Sequence, residues 1–94
     1  MGYEEGRAEI CLQHIVNTVA KATLASAETH RLSVESNLRN ALLYGEYDPS
    51  QTARLKRLVQ TVEQAISETS IRKLQILQDT VVPTLTTMGL AEEI

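Results

Sequence analysis

The sequence predicts an all-α protein built as one long antiparallel helical hairpin, and three observations carry that expectation. Apolar residues recur at steps of three and four along two long stretches. Glycine and proline fall near the two ends and at the centre, and nowhere inside either stretch. The central Gly45 and Pro49 bracket a helix stop followed closely by a helix start.

The first stretch, residues 7–44, has its apolar stripe at Leu12, Ile15, Val16, Val19, Ala20, Leu24, Ala27, Val34, Leu38, Ala41 and Leu42. No glycine and no Ser/Thr-x-x-Glu/Gln capping box interrupts it, so a single helix of roughly 57 Å is expected at about 1.5 Å per residue. The Ser- and Thr-rich segment from Ser26 to Ser36 is its weakest part. The turn, residues 45–48, is then written in cap chemistry. Gly45 is the expected left-handed helix stop, Asp48 the N-cap, Pro49 the first helical residue and Gln51 the reciprocal partner of a capping box. A connection this short forces the second helix, residues 49–81, to run back antiparallel.

Leu55, Leu58, Val59, Val62, Ile66, Leu74, Leu77 and Val81 mark the second buried stripe. The eleven-residue recurrence of Leu55, Ile66 and Leu77 favours nearly straight or slightly right-handed packing. Equal rise in both arms pairs residues whose numbers sum to about 93, such as Leu38 with Leu55 and Val34 with Val59, and sets Arg31 near Glu63. Pro83 is expected to end this helix, because it lacks an N–H and disfavours helical geometry at Val82. Residues 83–94 remain as a tail or one short helix with apolar Leu85, Met88, Leu90 and Ile94.

Composition excludes several classes. Ninety-four residues make one domain with a small core, and one cysteine cannot build a disulfide framework or a cysteine-based zinc site. There is no 18-residue apolar run, and the residues Met1 to Glu5 are acidic where a signal peptide is basic, so the expectation is a cytoplasmic protein with no membrane partner. Position 6 is glycine where a myristoylation signal has Ser or Thr.

Two helices leave more than half of each helix surface open, and apolar residues exceed one seam. Ile10, Ile15, Ala22, Ala25, Leu32, Ile71 and Ile76, together with Leu85, Met88 and Leu90 of the tail, are therefore the expected surface for self-association or for a partner protein. The simplest product is a dimer forming a four-helix bundle, or a larger helical oligomer; small side chains from Val19 to Ala27 let helices approach closely at mid-length. Tyr44 and Tyr47, two of three aromatic residues, cover the turn end or anchor a partner.

The net charge of -3 conceals basic helices between acidic ends. In the hairpin, Arg39 lies beside Arg54 and Arg57, and Lys21 beside Arg72 and Lys73. These six are the candidates for polyanion contact, opposed by the simpler reading of a solvated face with Glu35–Arg39 and Glu68–Arg72 pairs at i to i+4. No stacking aromatic accompanies them, and the long arms do not form a helix-turn-helix. His14 and His30 do not share a ligand face, Cys11 with His14 is the nearest approach to a reactive thiol, and neither paired carboxylates nor a glycine-rich phosphate loop is present. No metal, cofactor or catalytic residue is expected. The chain reads as a non-enzymatic protein-interaction module, a scaffold, assembly subunit or adaptor. The alternatives are a nucleic-acid-associated assembly or packaging factor, and a small chaperone or inhibitor.

Overall fold

A computed structural model describes residues 6–94. The acidic start read from Met1 to Glu5 lies outside the described residues. About three quarters of the chain is helical and no strand occurs among the described residues. The helices are α1 (Arg7–Val19), α2 (Ala27–Tyr44), α3 (Pro49–Gln64), α4 (Ser70–Ile76) and α5 (Val82–Thr87). A 3₁₀ turn, Ala65–Ser67, follows α3, and a π turn, Leu77–Val81, joins α4 to α5 in one continuous arm. The result is four helical arms from one chain, in place of two.

Both expected long helices are broken near mid-length. The 7–44 helix stops at Val19 and restarts at Ala27. Its break is stabilised by a reciprocal pair of bonds: Ser26 N donates to Thr23 Oγ1 at 3.3 Å, and Thr23 N donates to Ser26 Oγ at 2.9 Å. The two hydroxyls close the turn that leads into α2, whose N-cap, Ser26, makes no side-chain cap of its own to the helix. The 49–81 helix gives way at Glu68, whose backbone is extended (φ -82°, ψ 163°), and restarts with Thr69 Oγ1 accepting from Arg72 N at 3.2 Å. A 57 Å rod therefore does not exist; the largest extent is 39 Å. The radius of gyration is 12.5 Å, and a compact domain of this length has about 12 Å.

The turn between α2 and α3 has the expected capping box. Gln51 N donates to Asp48 Oδ1 at 2.7 Å, Asp48 N donates to Gln51 Oε1 at 3.2 Å, and Pro49 opens the helix. Gly45 differs from expectation: its φ of -94° and ψ of 161° are extended rather than left-handed. Glycine suits the position because Tyr47 folds over it, its hydroxyl donating to the Ala41 carbonyl at 3.1 Å, and a Cβ at Gly45 would clash with the hydroxyl end of the Tyr47 side chain unless that side chain moved.

Pro83 does not end the last arm. The turn before it is widened so that Val82 N reaches the Leu77 carbonyl, an i to i−5 bond, which accommodates the proline ring, and the helix runs on to Thr87. The stop is Gly89, with φ +72°; Leu90 N donates to the Leu85 carbonyl and Gly89 N to the Thr86 carbonyl, both at 3.0 Å. This pair of bonds is a Schellman closure, and only glycine adopts that φ without strain. The tail then lies on α1. Gln13 donates from Nε2 to the Glu92 carbonyl at 3.0 Å and accepts from Glu92 N at 2.8 Å.

The core follows the helical stripes: Leu12, Ile15 and Val19 from α1, Val34 and Leu38 from α2, Leu55 and Val62 from α3, and Leu77, Val81 and Leu85 from the last arm. α2 is the central element, packing on α1, α3 and α4, while α1 also meets α5. No described helix is long and apolar enough to cross a membrane.

Candidate functional site

Position 31 of α2 falls on the buried stripe Ala27, Arg31, Val34, Leu38, Ala41, so an arginine occupies a core position. It is 1% exposed and fully partnered. Nε and Nη2 form a bidentate pair with Glu28 at 2.7 and 2.9 Å, while Nη1 reaches Glu35 Oε1 at 2.8 Å and the Val62 carbonyl at 3.0 Å. Glu35 also holds Arg39 at 3.2 Å, Arg39 pairs across to Glu63 of α3, and Lys73 of α4 meets Glu28 at 2.9 Å. Three cations and three carboxylates thus link α2, α3 and α4.

The network sets the ionisation of its members. Hydrogen bonding from Arg31, supported by Lys73 and opposed by partial burial, holds the Glu28 carboxyl at about 2 against an ordinary 4.5. Arg31 is raised chiefly by its hydrogen bond to Glu28, and Arg39 chiefly by that to Glu35. Arg31 donates to the carbonyl of Val62, the residue before Glu63, and the Glu63 carboxylate itself pairs with Arg39. The i to i+4 pair Glu35–Arg39 forms, whereas Glu68–Arg72 does not, because Glu68 sits in the break and outside any helix.

The six candidates for polyanion contact are accordingly divided. Arg39 and Lys73 are neutralised inside the network. Lys21 lies in the α1–α2 connection, Arg72 at the start of α4, and both are exposed. Arg54 and Arg57 remain together on the exposed flank of α3 and have no carboxylate partner among the described residues.

The expected association surface is divided as well. Ile15 (0% exposed), Ile76 (7%) and Leu85 (0%) belong to the chain's own core, because the extra fold-back covers what a two-helix hairpin leaves open. Met88 and Leu90 are partly buried against the same core. Ala22 and Ala25 lie in the break between α1 and α2, so the small-residue run makes a connection rather than a close helix crossing. Ile10, Leu32 and Ile71 remain exposed, joined by Leu43 and by Leu24 and Ile66, which the periodicity had assigned to buried stripes. The two breaks explain the last two. Glu28–Lys73 and Arg31–Val62 bring the start of α2, the end of α3 and the start of α4 to one end of the molecule, where Leu24, Ile66 and Ile71 are each more than half exposed.

A groove of about 420 Å³ separates α3 from the last arm. Arg54, Arg57, Leu58 and Thr61 line its α3 side. Thr80, Pro83, Thr84 and Thr87 line the other, at matching helical spacing. The threonines carried no signal in the periodicity of apolar residues, although Thr80, Thr84 and Thr87 share one helical face.

The remaining candidates have local roles. Arg7 stacks over the Tyr44 ring at 4.3 Å from its centroid. Burial raises the Tyr47 phenol, with the charges of Cys11 and Glu9 adding to it. Because a carbonyl only accepts, His30 Nδ1 is the donor to Ser26 O at 2.9 Å, which ties His30 to the helix start and away from the ionic network. His14 is exposed and Cys11 partly buried. No group of three or more His, Cys, Asp or Glu suited to a metal ion occurs among the described residues.

Fold and sites together define a small all-helical domain with an ionic network around one buried arginine, an apolar end and a basic, threonine-lined groove. No protein-family model, curated protein or solved structure matches the chain.

Proposed function

We propose that the chain is a non-enzymatic helical module that works by protein association, with a second copy docking on the end that carries Leu24, Ile66 and Ile71. The observation supporting this reading is the exposure of three large aliphatic side chains at the two helix breaks: 52%, 60% and 57%. Full burial of such a side chain contributes about 1.5 to 3 kcal/mol, so covering three half-exposed ones supplies a reversible, concentration-dependent contact. The association is therefore end to end, and the surplus apolar surface is smaller than a two-helix rod would have. Nucleic-acid contact is the weaker alternative, because Arg39 and Lys73 are already paired with carboxylates.

Sedimentation velocity over a wide range of concentration tests the proposal. The expected result is reversible association that disappears in the triple variant Leu24→Ser, Ile66→Ser, Ile71→Ser while the circular dichroism spectrum is retained. A compact monomer at every concentration, or association unchanged in the variant, overturns it.

A further inference from the structure

We infer that the groove between α3 and the last helical arm is a binding site for a small phosphomonoester, its phosphate held between Arg54 and Arg57. Those two residues are one helical turn apart and both line the groove, a spacing that lets two long side chains converge on one phosphate, and each presents five N–H donors in a planar fork suited to phosphate oxygens. No carboxylate lines the groove, which leaves two positive charges facing it; a dianion compensates both, a monoanion only one.

The opposite wall is made to receive a polar ligand. Two facing helical stripes spaced i, i+3, i+4, i+7 ordinarily close into an apolar seam. Here Thr61 and Thr84, half-buried, and Thr80 and Thr87, exposed, line the groove, and among the described residues their hydroxyls make no bond to protein, which leaves them open to solvent or to a ligand. The π turn Leu77–Val81 lies on this wall, and Pro83 brings no N–H to satisfy the preceding turn; widened turns of this kind recur at functional sites. Leu58 and Pro83 supply apolar contact for the organic part. The volume, about 420 Å³, falls within the range of small-molecule sites, about 300 to 1,000 Å³.

The test is a titration of the full chain followed by ¹H–¹⁵N correlation spectra at physiological salt, with phenyl phosphate, inorganic phosphate and benzoate as probes. Phenyl phosphate should saturate, shifting the amides of Arg57, Leu58, Thr61, Thr80 and Thr84, and should bind more tightly than either of the others. The double variant Arg54→Gln, Arg57→Gln should weaken it about tenfold or more. The charge-matched control Lys21→Gln, Arg72→Gln should leave it unchanged. Equal loss in both variants, non-saturating shifts, or shifts spread over every basic residue overturn the site. A phosphoserine peptide that uses the same residues but binds more tightly overturns the small-molecule assignment.

Discussion

Arg31, 1% exposed, donates through Nη1 to the Val62 carbonyl 3.0 Å away, and this bond joins the buried stripe of α2 to the backbone of α3. A guanidinium in this position is tolerated because each of its nitrogens has an acceptor: Glu28 takes two, Glu35 and Val62 share the third. Burying such a charge without partners is costly, so Arg31 depends on Glu28 and Glu35 remaining in place.

Replacement of Arg31 by methionine should cost about 3 kcal/mol, toward the low end for breaking a buried pair because Glu28 and Glu35 keep part of their hydration. Arg31→Lys should recover only part of this, since an ammonium cannot reproduce the bidentate geometry. Urea unfolding measures both, and a loss below about 1 kcal/mol for the methionine variant would show that the network contributes little.

Glu28 gives the fold a pH dependence of definite sign. Its carboxyl lies at about 2 in the folded chain against 4.5 ordinarily, so it adds stability above pH 4.5 and that stability is lost as the pH falls through 4.5 toward 2. Glu28 is 41% exposed, so salt should reduce the effect. Thermal melts of the wild type and of Glu28→Gln should differ at neutral pH and converge in acid.

Gly45→Ala should destabilise the α2–α3 turn by about 1 kcal/mol, because the Tyr47 side chain must swing aside and give up its bond to the Ala41 carbonyl, although φ at this position suits alanine. The cause is the Tyr47 ring over Gly45. Tyr47→Phe removes only the bond to the Ala41 carbonyl and should cost about 1 kcal/mol. Equal, negligible effects of the two substitutions in chemical denaturation would contradict the close approach.

Gln13→Ala should release the tail from α1 without unfolding the bundle. Of the three bonds lost, one is to Asn17 within α1 and two are to the backbone of Glu92, so hydrogen exchange at the Glu92 amide should accelerate sharply while amides of the Schellman closure, Gly89 and Leu90, keep their protection. Unchanged exchange at Glu92 would mean that the side chain does not hold the tail.

What could be read from the residues alone was local. Asp48, Pro49 and Gln51 announce a helix start because a capping box is satisfied within four residues, and the structure has it. The break between α1 and α2 escaped the pattern, since the Thr23–Ser26 hydroxyl pair in it is not a Glu or Gln capping box. Arg54 and Arg57 were legible as neighbouring cations. Thr80, Thr84 and Thr87 were not legible as their counterparts, because residues 54–61 and 80–87 face each other only after the last arm has folded back.

The sequence by itself determined that the chain is helical, which stripes are apolar and where α3 begins. Tertiary structure decided that each long stretch bends at its middle. Helical periodicity continues in phase across Val19 to Ala27 and Val62 to Ser70, so no single segment discloses the breaks. A continuous rod would leave Ile15, Ile76 and Leu85 in water, and folding it in half buries all three at the cost of a few backbone hydrogen bonds that Thr23, Ser26 and Thr69 partly replace.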